Sequence, residues 1–598
     1  MGKIDDEVIS DDILDEDDVL GADDQESLEL SGDVPTKPDT DKANTDADNI
    51  ISALVQARTL NELIRKATDD YLDKIDPDNP PSPSDIEADL VKSIRIHCDA
   101  INAQHYDKAS KIRAPQKLAP SQIASIMLKI YHIVRIQCGE ENSDPSEDLL
   151  AMYQDSGENE GIYVTDEVVM KRTAAEYNYT ISKHELDDVI EFIKIHAPRV
   201  YRTIDKDLVP VNNGVFNFET KELMPFSPDY VFIAKSKVDY NPHATNVVIH
   251  NDDDGTDWDV ESWVADLSDD PEIVNLLWEI MSAIVRPFVS WNKSAWFYSN
   301  TGNNGKGTLC ELMRQLCGSG SYASISLSEF GKDFALAPLT RANAIIVDEN
   351  DVGTFIDKAG ALKSIITNDV FEINRKHKDI ISYRFYGFMV QCLNEFPRVK
   401  DKSDSFYRRQ LFIPFDKCFT GRERKYIKKD YLHRKEVLEY VLYKVLNMNF
   451  YTLSEPASCV SALAEYKGFN DPVRQFMDEI SPQLVWDLVP FSFLYDLYKA
   501  WFRKNSPNGS IQGKTTFITD IINLLGEYPD WSCQGRNVSI RPGHKMDAIE
   551  HMIAEYDLRD WQNPTYVGVD VDKICVPKLK ASYNGLIRVG SSDSDTNS

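Results

Sequence analysis

The chain has no cysteine framework. Its nine cysteines are scattered, with no C-x-x-C pair and no Cys/His cluster at metal spacing. That excludes a disulfide scaffold and a structural zinc, and it points to a reducing compartment. No apolar run is long enough to span a bilayer, and no apolar leader opens the sequence; a cytoplasmic protein with no membrane role is expected. Positive charge is scarce. Lys and Arg number 65 against 98 Asp and Glu, a net charge of −33, which argues against indiscriminate coating of nucleic acid but not against a local basic channel. Repeats are absent too. Hydrophobic residues are not scarce: they make up 42% of 598 positions, enough for three to five units at about 100–200 residues each.

The acidity is uneven. The first 50 residues hold 18 acidic and 3 basic side chains, so 1–49 reads as an acidic disordered tail that solvates the protein or binds a basic partner. Helical spacing from Ile50 to Ile75, near Ile86–Ala103 and over Pro120–Cys138 makes 50–139 a helical region. Residues 140–259 mix helices with strand-like runs at Leu208–Phe218 and Tyr230–Ala234, an α+β pattern. A helical pattern over Val260–Val289 opens a segment of 260–450. Helices are expected at Pro472–Ile480, Pro490–Lys504 and Thr515–Gly526, with strand-like pieces around Arg536–Arg541. These outline 451–548, and 549–598 reads as a C-terminal tail. The run His250–Glu261 spaces Gly255 and Glu261 like a calcium loop. His250 and Trp258 occupy ligand positions, however, so an acidic loop with an Asp capping the next helix is expected.

The most informative stretch is Tyr298-Ser-Asn-Thr-Gly-Asn-Asn-Gly-Lys-Gly-Thr308. An apolar strand precedes it (Ala295–Tyr298) and a helical pattern follows it (Leu309–Leu316). Strand, glycine-rich turn, Lys and helix form a phosphate cradle, in which backbone N–H groups and the positive helix end face an anion. Gly302, Asn303, Asn304, Gly305, Lys306, Gly307 and Thr308 are the expected nucleotide-binding residues. Two positions depart from the usual pattern. Asn300 replaces the leading Gly, and Gly307 follows the Lys, which passes the metal-binding hydroxyl to Thr308.

Three further elements follow. Ala344-Ile-Ile-Val-Asp-Glu349 is an apolar strand ending in two carboxylates: Asp348 is assigned to Mg²⁺ with Thr308, and Glu349 to the attacking water. Phe388–Asn394 is a strand ending in an amide, and Asn394 is placed to sense the terminal phosphate. Arg408 and Arg409 precede the strand Gln410–Phe415. Either is suited to reach a neighbouring subunit's nucleotide, and spacing does not choose between them.

The order of P-loop, Asp-Glu strand, basic hairpin, Asn strand and Arg pair resembles superfamily 3 helicases. Gly302–Thr308, with Asn213–Leu223 and Val238–Pro242, is most similar to the phage and plasmid primase-helicases and their poxvirus relatives, over roughly residues 140–545. The resemblance implies an α/β fold with a modified AAA+ P-loop NTPase core, a pre-motor domain at 140–259, a motor at 260–450 and a winged-helix domain at 451–548. It implies ATP and Mg²⁺ as cofactors, a hexameric ring, and 3′-to-5′ movement on single-stranded and forked DNA during replication of a phage, plasmid or mobile element. It assigns DNA contact to Arg375, Lys376, His377 and Lys378, where cations on a hairpin tip would grip successive phosphates. The acidic tail would then meet a replication partner. No hydrophobic-Asp-x-Asp pair occurs in 50–200, so priming activity is not expected. An initiator or scaffold that uses nucleotide only for assembly, and a primase-helicase with an unrecognised priming fold, are the alternatives.

Overall fold

The computed structural model describes residues 59–103, 111–139, 143–376, 378–505 and 511–590. The acidic tail 1–49, His377 and 591–598 lie outside the described residues. The chain forms two compact units, one within Met1–Asp69 and Lys92–Pro115, the other Asp70–Val91 and Gln116–Ser598. In the first, Leu63 and Ala67 pack with Ile94 and Cys98. All that follows concerns the second.

Its centre is a five-stranded, all-parallel sheet. In space the strands run Tyr322–Ala323, Ala344–Val347, Phe388–Leu393, Ser294–Tyr298, Gln410–Pro414. Strand residues alternate between faces. Ala295, Phe297, Ile346, Val390 and Ile413 enter one core, with the helices Pro271–Val285, Lys306–Cys317 and Lys435–Leu446. Trp296, Ile345, Met389 and Phe412 enter the other, with Gly360–Ile366 and Ala457–Asn470. Both faces are covered, which is why these strands read as continuous apolar runs.

Ahead of this sheet stands a smaller one, ordered Tyr163–Val164, Leu149–Tyr153, Ile133–Gln137, Arg199–Tyr201. Here three expectations change. The helix expected over Pro120–Cys138 stops at Ile130, and Ile133–Gln137 is a strand, because its apolar residues fill the sheet core and the small helical core at once. Tyr230–Ala234 is not a strand. Val231 to Ala234 are all buried, so their apolar character reflects packing as a plug; Phe232 O accepts from Tyr163 N at 2.7 Å and Val231 O from Thr203 N at 3.2 Å, while Phe232 N turns back to Tyr230 O at 3.0 Å, and no ladder forms. The helix expected over Val260–Val289 is two helices, Val260–Ala265 and Pro271–Val285. Asp270 accepts from Glu272 N with Pro271 in the first turn, a local restart signal. The acidic loop behaves as expected: Ile249–Asn251 and Thr256–Trp258 form a hairpin, and Asp259 caps the next helix through Ser262 N at 2.9 Å.

Beyond residue 470, Pro472–Ile480, Leu488–Pro490, Phe491–Asn505, Lys514–Leu524, Trp531–Ser532 and the short helices Met552–Glu555 and Val571–Ile574 lead to Gly585–Arg588. The three strands form an antiparallel sheet with Gly585–Arg588 in the middle. The core here runs from Val473 to Ile587. The sheet is therefore completed beyond 548, within the stretch read as tail. A central strand contributed from so far down the chain leaves no local signal. Among the described residues no helix is long and apolar enough to cross a membrane.

Candidate active site

The P-loop strand Ser294–Tyr298 lies beside the amide strand Phe388–Leu393, which lies beside the carboxylate strand Ala344–Val347. All three run parallel, so Gly302–Thr308, Asn394 and Asp348–Glu349 emerge at one edge. The crevice beyond the carboxyl ends of parallel strands is where α/β sheets bind ligands.

The turn is built by its own side chains. Asn304 Nδ2 donates to Thr301 O, and Asn304 Oδ1 accepts from Lys306 N at 3.4 Å. Asn303 and Gly305 take left-handed backbone, φ 54° and 87°. At Gly305 a side chain is excluded twice over, since a methyl group there would also stand 2.5 Å from Leu267 Cδ2. The helix Lys306–Cys317 starts directly after.

Lys306 is only 5% exposed, and burial pulls its ammonium below the usual lysine range. Its Nζ donates to Asn394 Oδ1 at 3.0 Å, joining two of the expected site residues. Among the described residues it has no carboxylate partner, so a buried cation meets only a neutral amide. Such a group fits an anion. Asp348 is exposed and gripped by Arg314, Nη2 to Oδ1 at 2.8 Å and Nη1 to Oδ2 at 3.2 Å. That pair of bonds is the main reason its carboxyl lies below the usual carboxylate range. Glu349 is exposed next to it, and Thr308 is half-buried on the P-loop helix. Oxygen donors of this kind suit Mg²⁺, which keeps several waters and takes one or two carboxylates. Among the described residues no group of three or more His, Cys, Asp or Glu gathers to hold a metal.

Arg408 and Arg409 stand elsewhere. They precede Gln410–Pro414, whose first residue pairs with Ser294 and whose last pairs with Tyr298. They therefore sit at the amino edge of the sheet, about 16 Å of strand away from the chain's own P-loop. Arg409 is tied down by Ser405, Nη1 to Oγ at 2.8 Å. Arg408 is exposed and, among the described residues, makes no side-chain hydrogen bond.

The basic turn is a hairpin tip, between Val370–Ile373 and Ile381–Arg384. Lys376 is exposed. Arg375 folds back onto Asp379 O at 3.2 Å, and Lys378 pairs with Glu167 at 3.0 Å. Ser382 N and Arg384 N bond Glu147 Oε2 and Cys138 O, at 2.9 and 3.0 Å, so the hairpin leans on the smaller sheet's segment.

Two residues at the site gave no motif signal. Arg314 lies two turns along the P-loop helix from Lys306, and only helical spacing could have marked it. Asn350, next to the carboxylate pair, is buried and bridges Gln391 Oε1, Cys392 O and Leu327 N at 2.9, 3.1 and 2.8 Å. It fixes the carboxylate strand's end against its neighbour.

Fold and site together define a mixed α/β protein with a lysine-bearing glycine-rich turn on a parallel sheet. A family profile described as D5 N terminal like matches residues 58–269, one described as poxvirus D5 protein-like matches 469–561, and a family of unknown function, DUF5906, matches 297–409. Over residues 58–269 and 469–561 the chain is thus similar to the D5-like family that its motifs indicate. No curated protein matches it. Among solved structures, an A-form apo structure of the NrS-1 C-terminal region is similar at 14% identity, covering 79% of this chain and all of that one, with a TM-score of 0.37. Another apo structure of that region is similar at 12% identity, covering 72% and 98%, with the same score. Scores this far below 0.5 transfer nothing from those molecules to this chain.

Proposed function

We propose that the chain is an ATP-dependent DNA helicase of the superfamily 3 kind, with a modified AAA+ motor, acting in replication of a phage, plasmid or mobile element in the host cytoplasm. One observation carries the reading: buried Lys306, its partner Asn394 and the Asp348–Glu349 pair meet at the carboxyl ends of three adjacent parallel strands. Lys306 would move from the Asn394 amide to the outer phosphates, releasing Asn394 to sense them. Glu349 would orient the attacking water. Mg²⁺, when bound by Thr308 and Asp348, would supply neutralising charge at the phosphates, and Arg314 must let go of Asp348 first.

The amino-edge position of Arg408 supports a ring, hexameric in this family. A finger that faces away from its own nucleotide is suited to the next subunit's, and Arg408 is favoured over Arg409 because it is uncommitted. Lys376, with His377, Arg375 and Lys378, would grip single-stranded DNA, and each hydrolysis would drag the strand 3′ to 5′. The helices Pro472–Ile480, Phe491–Asn505 and Lys514–Leu524 sharing one core with a three-stranded antiparallel sheet support the winged-helix reading of the C-terminal region.

The test is strand separation on forked duplexes with 3′ or 5′ loading tails. ATP-dependent unwinding from the 3′ tail is expected. ATP-dependent assembly on DNA without strand separation would replace the motor with a scaffold.

A further inference from the structure

Beside the P-loop lies a cavity of about 1160 Å³, roomy enough for a nucleoside triphosphate. One wall is the P-loop with Trp263 and Leu267. The other is the segment 417–429 that follows the last sheet strand. The two walls are stitched together: Phe419 N donates to Asn303 O at 2.7 Å, and Asn303 Nδ2 donates to Thr420 Oγ1 and Glu423 Oε1 at 3.2 and 3.1 Å. In a chain of net charge −33, residues 422–429 hold five basic side chains and one acidic.

One of the five is placed where a cation is costly. A methyl group on Gly307 would stand 3.8 Å from Lys428 Nζ. The ammonium therefore hangs over the first turn of the P-loop helix at Gly307, against the positive helix end. Nearby basic groups find carboxylates: Lys417 pairs with Asp266 and Asp269, His433 with Glu311, Arg434 with Asp430. Among the described residues none of the five basic side chains of 422–429 forms an ion pair, and of these Lys428 is the one set over the P-loop helix. Its place is not left to chance, because Ile427 next to it is buried in the sheet core and its own carbonyl is 3.1 Å from His433 Nε2. The carboxylate that senses Lys428, Asp348, is already gripped by Arg314, so the two lysines and the helix end together suit an anion.

We propose that Lys428 is a second phosphate-binding cation, closing over the triphosphate opposite Lys306, with the nucleoside in the cavity between Leu267 and Phe419. This rests on the P-loop reading and adds to it an arm outside the motif order. Because Phe419 and Thr420 bond Asn303, the arm and the P-loop move as one, and filling the cavity is felt by the segment leaving the sheet strand that Arg408 precedes.

Titration calorimetry of the full chain with ATP, ADP and AMP tests it, using Lys428→Ala, Lys428→Arg and Lys306→Ala, with thermal unfolding to confirm folding. Lys428→Ala is expected to weaken ATP about tenfold or more, as for loss of a charge-assisted bond. ADP should weaken less, AMP should be unchanged, and Lys428→Arg should recover most of the loss. Unchanged ATP affinity in folded Lys428→Ala, with binding lost in Lys306→Ala, overturns this inference and leaves the P-loop reading standing. Equal losses for ATP and AMP in Lys428→Ala also overturn it. Undiminished binding in Lys306→Ala overturns the P-loop reading itself.

Discussion

The P-loop edge of the central sheet and the basic hairpin are built in opposite ways. At the edge, parallel strands buried on both faces fix the backbone, and the polar groups bond one another: Lys306 to Asn394, Asn350 to three partners, Arg314 to Asp348. At the hairpin two strands carry an exposed tip, and its cation Lys378 is held by one ion pair to Glu167. Chemistry needs groups fixed to within a fraction of an ångström, and a pulling element needs to move. The contrast is the one the proposed motor requires.

The comparison can be broken most forcefully at Arg408. Arg408→Ala is expected to lower kcat for ATP by about a thousandfold, as for loss of a trans-acting arginine. Arg409→Ala should mainly lower stability, because its bond to Ser405 is structural. The reverse pattern in a steady-state assay would reassign the finger. Next comes the hairpin. Lys376→Ala with His377→Ala should abolish fork unwinding while basal ATPase persists. Full unwinding by that variant would remove the hairpin from the DNA path.

Two smaller effects sharpen the contrast. The Asp348 carboxyl is held low by Arg314, so the pair's contribution is full above the unfolded carboxylate's value of about 3.9. It fades as pH falls through the lower folded value. Asp348→Asn should therefore unfold more easily than wild type at pH 7, by at most about 1 kcal/mol because the carboxylate is open to solvent screening. The gap should begin to narrow near pH 4 and close as pH falls through the lower folded value in urea melts; a gap that does not narrow with falling pH has another cause. Least of all, Glu167→Gln should free Lys378 and raise single-stranded DNA affinity about two- to threefold, with a steeper salt dependence. Unaltered affinity and slope would show that Lys378 takes no part.

The P-loop edge was legible in the sequence because its demands are local. Only glycine tolerates φ 87° at Gly305 with Leu267 so close, and only a strand before it and a helix after it make the cradle. Strand pairing over long separations was not legible. Gly585–Arg588 completes a sheet begun at Leu488, and nothing in either segment's composition announces the other. Burial also imitates pairing, as Tyr230–Ala234 shows. Arg314, Lys428 and Glu167 act through partners 34, 121 and 211 positions away, distances across which a single sequence carries no signal.

The most direct test is ATP turnover by the full chain, with and without single-stranded DNA, beside Lys306→Ala. Hydrolysis stimulated by DNA in the wild type and absent in the variant is expected. A wild type that consumes no ATP under either condition, or a variant that consumes it undiminished, would contradict a motor driven from this P-loop.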